Sequence, residues 1–439
     1  MNKMIARGVA PLLAALLLTA CATPEFRQPY VETPDAFRES QTPAVAVDGI
    51  DGARWKPAQP AEQQPRGQWW LAFNDPALTA LVEEAAANNA NLSVAASRVK
   101  QARAIAGIAE ADRIPQVGIG IGAQRARLSP LESNLPQGSD TEARTSYTAR
   151  LSASYEVDLF GRVAAGVSAA RGDAATSEAN FRSVLLALQA DVAQTYFRLR
   201  ALDAELVTVD ETVRLREESV GVTQRRFDLG DIGEFDLSRA RTELATARAE
   251  AIGVQRQRAT TEHALAVLLG KPAADYVAGP SPLLDSSLMP SIPAGLPSTL
   301  LERRPDIVAA QRAMEASNAR IGVARAAMFP ALTINADGGG VGGVFSEVFK
   351  WSSRSWVLGA LASMPIIDGG RNRNNIVRSE AVLEESVGTY RQSVLVAFAE
   401  VEDNLAGLRI LAGHAGEIYA AVVSARRSAA SSTLKANAR

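Results

Sequence analysis

The chain is poor in the residues that build reactive centres. Its 439 residues include one cysteine, Cys21, and two histidines, His263 and His414. A structural zinc takes four such ligands, and a thiol enzyme pairs its cysteine with a base, so both chemistries are short of parts. The sequence points to no cofactor, no metal and no enzyme. Charge is nearly balanced, with 46 basic against 48 acidic side chains, which gives no basic surface for nucleic acid. Proline is missing between Pro136 and Pro272 and again after Pro365, so nothing there interrupts a helix. Beyond the N-terminus no apolar run approaches the roughly 18 residues of a membrane-spanning helix. The length leaves room for two or three ordinary domains.

What is present begins with a leader. Lys3 and Arg7 precede an apolar run from Val9 to Ala20, followed at once by Cys21. A basic start, a short apolar stretch and small residues before the cut are the parts of a secretory signal, here residues 1–20. The LTAC ending resembles a bacterial lipobox, in which Cys21 is acylated and becomes the first mature residue. Each buried methylene adds about 0.8 kcal/mol of membrane affinity, so a multiply acylated cysteine stays in its bilayer. Ala22, where retained lipoproteins carry aspartate, favours the outer membrane by the same resemblance. Residues 21–68 hold seven prolines between Pro24 and Pro65 and read as a lipid-anchored, semi-rigid tether.

The rest is written twice. Residues 91–119 align with 306–334, matching Gly107 to Gly322 and Pro115 to Pro330; further on, Gly161 and Arg162 match Gly370 and Arg371. Repeat 1 spans 69–290, with strands at about 116–124 and 147–157 and a helical hairpin at about 166–269. Repeat 2 spans 291–439, with strands at about 331–337 and 355–366 and a long helix from about 372. In the clearest strand, Tyr147, Ala149, Leu151, Ala153, Tyr155 and Val157 alternate with Thr148, Arg150, Ser152, Ser154 and Glu156. Alternation over roughly 9–11 residues fits a transmembrane β-barrel, and the leader favours that over a half-buried soluble sheet. Four strands cannot close a barrel, and an open edge in hydrocarbon leaves peptide groups unpaired at several kcal/mol each. Two copies give an eight-stranded barrel filled by side chains, whereas three give twelve strands and a water-filled bore.

From about Gly166 to Leu229 the pattern is helical, about 95 Å at 1.5 Å per residue. Leu185, Leu188, Val192, Leu199, Leu202 and Val209 mark a heptad seam that continues to Phe227, and Leu237, Ala247, Ala251, Val254 and Leu265 mark its return. Gly230 and Gly233 sit at the hairpin tip.

These residues together resemble a family. The runs GQWWLAFNDPAL (67–78), GLPSTLLERRPDI (295–307) and NARIGVARAAMFP (318–330), with DLFGR (158–162) and IDGGR (367–371), look like the TolC-like outer membrane efflux proteins, in particular their NodT-type lipoprotein branch. The resemblance implies a mainly α fold with transmembrane β: a homotrimer whose twelve-stranded barrel continues into a periplasmic α-helical barrel. It implies a passive conduit for drugs or other small molecules, working with a periplasmic membrane-fusion adaptor and an inner-membrane pump and touching outer-membrane lipids. Arg226, Phe227, Gly230, Asp231, Asp236 and Leu237 are then candidates for adaptor docking and gating. Pro115, Gly161, Arg162, Pro330, Gly370 and Arg371 become the helix–strand junctions, where proline stops each incoming helix. The channel of a protein-secretion system is the alternative cargo reading. A periplasmic adaptor lipoprotein would carry one hairpin between small β domains rather than two repeats.

One departure stands out. The chain reaches Arg439 where the first repeat has its tip, so the second tip and return helix are missing relative to the family, which suggests a truncated gene, an incomplete sequence or a fragment. Two further motifs carry little. DGGGVGG (337–343) contains a GxGxxG but lacks the strand–helix setting of a dinucleotide site, and is expected to be a flexible extracellular loop. Arg304, Pro305 and Asp306 read as a helix start with local ion pairing.

Overall fold

The computed structural model describes residues 23–31, 33–34, 37–39, 68–283, 301 and 303–437. The leader, Cys21, most of the Pro-rich stretch and part of the 295–307 motif lie outside them. The helices are α1 (Pro76–Asn88), α2 (Ala90–Ala111), α3 (Arg162–Asp228), α4 (Glu234–Leu268), α5 (Pro305–Ala326) and α6 (Arg371–Asn437). The strands are β1 (Gln116–Ala126), β2 (Arg144–Val157), β3 (Ala331–Gly342) and β4 (Arg354–Ser363). Among the described residues no helix is long and apolar enough to cross a membrane. The chain separates into two compact units, one containing the described residues up to 31 with Val99–Ser177 and Ile307–Val396, the other the described residues of 33–98 with Glu178–Asp306 and those from Ala397 onward.

In the first unit the four strands form one antiparallel sheet in the order β1-β2-β3-β4. The two repeats meet where β2 pairs with β3, Ala153 opposite Ala336. Register turns four separate alternations into two coherent faces. Ile119 lies opposite Leu151, Tyr155 opposite Ile334, and Ala336 opposite Leu358, so the alternating apolar rows of the four strands share one side, with Val341, Val357 and Leu361 on the other. Gly120, Arg150, Gly339 and Ser355 form a row on the other, with Ser152, Asn335 and Asp337 beside them. Most of the apolar face is bare: Ile119, Ile121, Leu151, Trp356 and Leu358 are all exposed. β1 and β4 each have one neighbour, leaving their outer edges unpaired.

The expected glycine-rich loop is a strand. Residues 337–342 complete β3, all pairing with β2 and those up to Gly340 also with β4. Glycine here makes room. A Cβ on Gly340 would come within 1.9 Å of the Val348 carbonyl oxygen, because the segment after β3 folds back onto it.

In the second unit α1 packs its Leu78, Val82 and Ala85 against Leu188, Val192 and Tyr196 of α3 and Leu265 of α4, with Trp70 closing the cluster. The run around Asp75 has a local cause. The Asp75 carboxylate caps α1 by accepting from the Ala77 and Leu78 N–H groups, and Pro76 occupies the first helical position. The Tyr196 hydroxyl donates to the same carboxylate at 2.7 Å. Burial, then that hydrogen bond, push Tyr196 up to about 12. Along the α3–α4 hairpin Leu199, Leu202, Val209, Ala247, Ala251 and Val254 are buried, following the heptad seam. Arg216 is the seam's charged member; it stays exposed and pairs with Glu243 at 2.7 Å.

The described part of the N-terminal stretch is held rather than hanging free. In the first unit Asn318 donates to the Pro24 carbonyl and Gln28 to the Tyr390 hydroxyl. In the second, Glu402 accepts from the Arg38 and Glu39 N–H groups, and Phe37 is buried.

A buried ionic network pins the segment after α4. Asp203, 4% exposed, accepts from Arg258 at 2.6 Å and from the Ser281 N–H at 2.8 Å. Arg258 also donates to the Ala278 carbonyl at 2.7 Å. Arg258 also pairs with Glu262 at 3.2 Å, so Asp203→Ala leaves it one acid but strips the Ser281 N–H of its acceptor, and is expected to cost about 2 kcal/mol, read from the urea midpoint in detergent. The double variant Asp203→Ala with Arg258→Met also leaves Glu262 without its cation and is expected to cost more than the single one; an equal or smaller cost contradicts this assignment.

Candidate functional site: junctions, sheet edges and hairpin tip

Each passage from helix to strand is built the same way. At the end of α2 the ladder tightens: Arg113 N–H donates to Glu110 O at 3.1 Å and Ile114 N–H to Ala111 O at 3.2 Å. At the end of α5, Met328 donates to Arg325 O and Phe329 to Ala326 O, both at 3.0 Å. These three-residue rings use up the last carbonyls before Pro115 and Pro330, which carry no N–H and hold the preceding residue extended. The helices therefore end at Ala111 and Ala326, ahead of the prolines. The expected direct proline stop is replaced by a tight turn that proline closes.

The passages from strand to helix rest on aspartates. Asp158 accepts from the Val163 and Ala164 N–H groups at 3.0 and 2.7 Å. Asp368 accepts from Gly370 and Asn372 at 2.8 and 2.9 Å. Gly161 and Gly370, at φ +75° and +84°, supply the left-handed residue that turns the chain. Arg162, the first residue of α3, forks onto Glu156 at the end of β2, at 2.7 and 2.5 Å. Asn372 donates to the Ala327 carbonyl at 3.0 Å, tying the start of α6 to the end of α5. Phe160 stacks on Phe329 with centroids 4.7 Å apart. Glu156, Arg162, Phe160, Phe329, Pro330 and Asn372 thus share one cleft of about 290 Å³. Pro115, Gly161, Gly370 and Arg371 lie outside that lining. The two capping aspartates escaped sequence reasoning, although an acid two or three residues ahead of Gly-Arg at a helix start is a readable signal.

The tip closes as a Schellman turn. Asp231 N–H donates to Arg226 O and Gly230 N–H to Phe227 O, both at 2.9 Å, with Gly230 at φ +77°. Arg226 and Asp231 also pair through their side chains at 2.7 Å. Leu237 is 3% exposed and packs inside the hairpin, and Phe227 is half-buried. Arg226, Asp231 and Asp236 face solvent. So do Leu229, 84% exposed, and Phe235, 78% exposed. Those two apolar residues were not among the expected contacts; their signal was being apolar beside turn glycines.

The arrangement shapes a surface with one apolar sheet face, two open edges and firmly capped helix–strand junctions. Comparison with known proteins gives it a family. The model described as outer membrane efflux protein matches residues 81–271 and 296–437. The chain belongs to the outer membrane efflux protein family. It is 34% identical over 370 residues to the toluene efflux pump outer membrane protein TtgC of Pseudomonas putida, covering 83% of this chain and 76% of that one. It is 32% identical over 403 residues to the cation efflux system protein CusC of Escherichia coli, covering 90% and 82%. Among solved structures, a membrane protein from Pseudomonas aeruginosa shares 32% identity at a TM-score of 0.75, with 88% of this chain and 82% of that chain covered.

Two outcomes test these sites. Gly230→Val forces a β-branched residue into the left-handed region at about 1–2 kcal/mol, so the hairpin is expected to gain protease cuts near 230 while Gly233→Ala, at an extended position, does not. The Asn372 and Gly370 N–H groups hold Asp368 below the usual carboxylate range. Its cap is therefore complete above the unfolded pKa of about 3.9 and is lost as pH falls through the lower folded value. Asp368→Asn is expected to flatten the acid limb of the Tm–pH curve; an unchanged limb contradicts the cap.

Proposed function

We propose that this chain is the outer-membrane channel of an efflux pump, a passive conduit through which drugs or other small molecules leave the cell. The observation that carries the reading is the sheet, whose apolar rows align in register on one largely bare face while both edges stay unpaired. Strands of 10 to 14 residues reach across a bilayer when tilted. In water that face is a liability, and in lipid it is the stable one.

Three copies close the sheet into twelve strands. The opposite face carries Arg150, Glu156 and Asp337, side chains that need water. An eight-stranded barrel would bury them, whereas a twelve-stranded one keeps them at a wet bore. The helices that enter and leave at the capped junctions continue the wall into the periplasm. Cys21 carries the acyl chains, and the hydrogen bonds that Asn318 and Gln28 make to hold the N-terminal stretch in its unit support a fixed anchor. At the tip, Arg226, Asp231 and Asp236 with Leu229 and Phe235 offer a mixed charged and apolar surface to a periplasmic adaptor, which links the channel to an inner-membrane pump. Phe227, Gly230 and Leu237 hold that surface in shape. The relatives' names span a solvent and a cation, so the cargo belongs to the pump each serves.

Purified acylated protein in a planar bilayer is expected to give conductance from a species that crosslinks as three chains. A soluble monomer that never inserts contradicts the reading. Deletion is expected to raise drug sensitivity without loss of a secreted protein; the reverse pattern favours a secretion channel.

A further inference from the structure

The segment 343–353, between β3 and β4, does not project along the strands. It folds back over one face of the sheet, and the side chosen is informative. Gly340 lies opposite Ala149, a member of the apolar row, and its missing Cβ leaves space filled by the Val348 backbone. Gly342, opposite Tyr147, meets Glu347 in the same way. Phe345 makes an edge contact with the Tyr147 ring at 6.1 Å, and Phe349 another with Phe345 at 5.6 Å. Val348 is the pin, 2% exposed. The segment therefore sits on the apolar side of the sheet, away from Arg150 and Asp337.

Having docked, it presents aromatics outward. Trp351 is 81% exposed, Phe345 and Phe349 are exposed, and Trp356 stands next along β4. Arg354 lies over the Trp351 ring at 4.7 Å. Lys350 pairs with Glu347 at 3.0 Å. A loop meant for water has no use for a row of bare rings, and a plug for the bore would lie on the polar side. Rings with one apolar body and a charged partner settle at the boundary between acyl chains and headgroups. The patch is continuous with the apolar sheet face, and it lies at the end of the strands remote from the helix junctions.

We infer that residues 343–353 form an outward-folded anchor that seats Phe349 and Trp351 in the headgroup layer of the bilayer, with Arg354 and Lys350 turned to lipid phosphates. The inference rests on the barrel reading given above. It makes the lipid surface itself the partner of this segment and fixes the depth at which the sheet sits.

The test uses the full acylated chain in phosphatidylcholine vesicles carrying a spin-labelled lipid, with the nitroxide either near the headgroup or deep in the acyl region. The Trp351 signal is the difference between the parent and Trp351→Phe. Shallow label is expected to quench it at least twofold more than deep label. Adding Phe349→Trp to the Trp351→Phe protein is expected to restore shallow quenching. In protein that conducts, a Trp351 signal untouched by either label, or quenched mainly by the deep one, overturns the anchor and leaves the barrel standing. Absence of conductance together with absence of quenching overturns both.

Discussion

In the proposed barrel, the structure depends on the need of every peptide group in a hydrocarbon layer for a hydrogen-bond partner. A four-stranded sheet satisfies its two inner strands and leaves β1 and β4 half-satisfied. In water such edges are tolerable. With the apolar face turned to lipid they cost several kcal/mol per unpaired group, and only neighbouring strands can remove that cost. Since this chain offers no fifth strand among its described residues, copies of itself are the natural source. In the proposed channel, oligomerisation is thus a condition of insertion rather than an addition to it.

The same condition shapes the junctions. A wall that changes from helix to strand must hand over its backbone bonding without exposing loose carbonyls or amides. Going up, the last helical carbonyls are taken by three-residue rings before a proline that has no amide to satisfy. Coming down, Asp158 and Asp368 accept the first amides of α3 and α6. The Arg162–Glu156 fork and the Phe160–Phe329 stack then brace strand ends against helix ends. Both repeats use this logic, although the aspartate stands at different distances from the glycine. That difference is what a gene duplicated and then diverged would leave.

Much of this was legible in the chain itself, and the failures have physical reasons. The faces of β2 could be read because Tyr147 to Val157 alternate without exception. The far end of β3 could not, because glycine is neither polar nor apolar and leaves no parity to follow; only the Val348 backbone pressed on Gly340 shows why the side chains are missing. Proline marked the junctions but not the helix ends, since the tight turn before it has no residue preference strong enough to see. At the tip, Leu237 was a docking candidate by resemblance to the family's tip motif, yet the heptad that continues through it buries it. The truly exposed Leu229 and Phe235 sat one or two positions from the residues singled out.

The central claim, that the open edges pair between copies, can be tested by cysteine scanning along them. Gly118, Gly120 and Gly122 of β1 and Val357, Gly359 and Leu361 of β4 share the polar face, so cysteines placed one on each edge approach disulfide distance when the registers match. Oxidation of the membrane-inserted protein is expected, for one of these pairings, to give a ladder that stops at three linked chains. If no pairing links one chain to another while the protein remains inserted and conducting, the edges are satisfied some other way and the account is wrong.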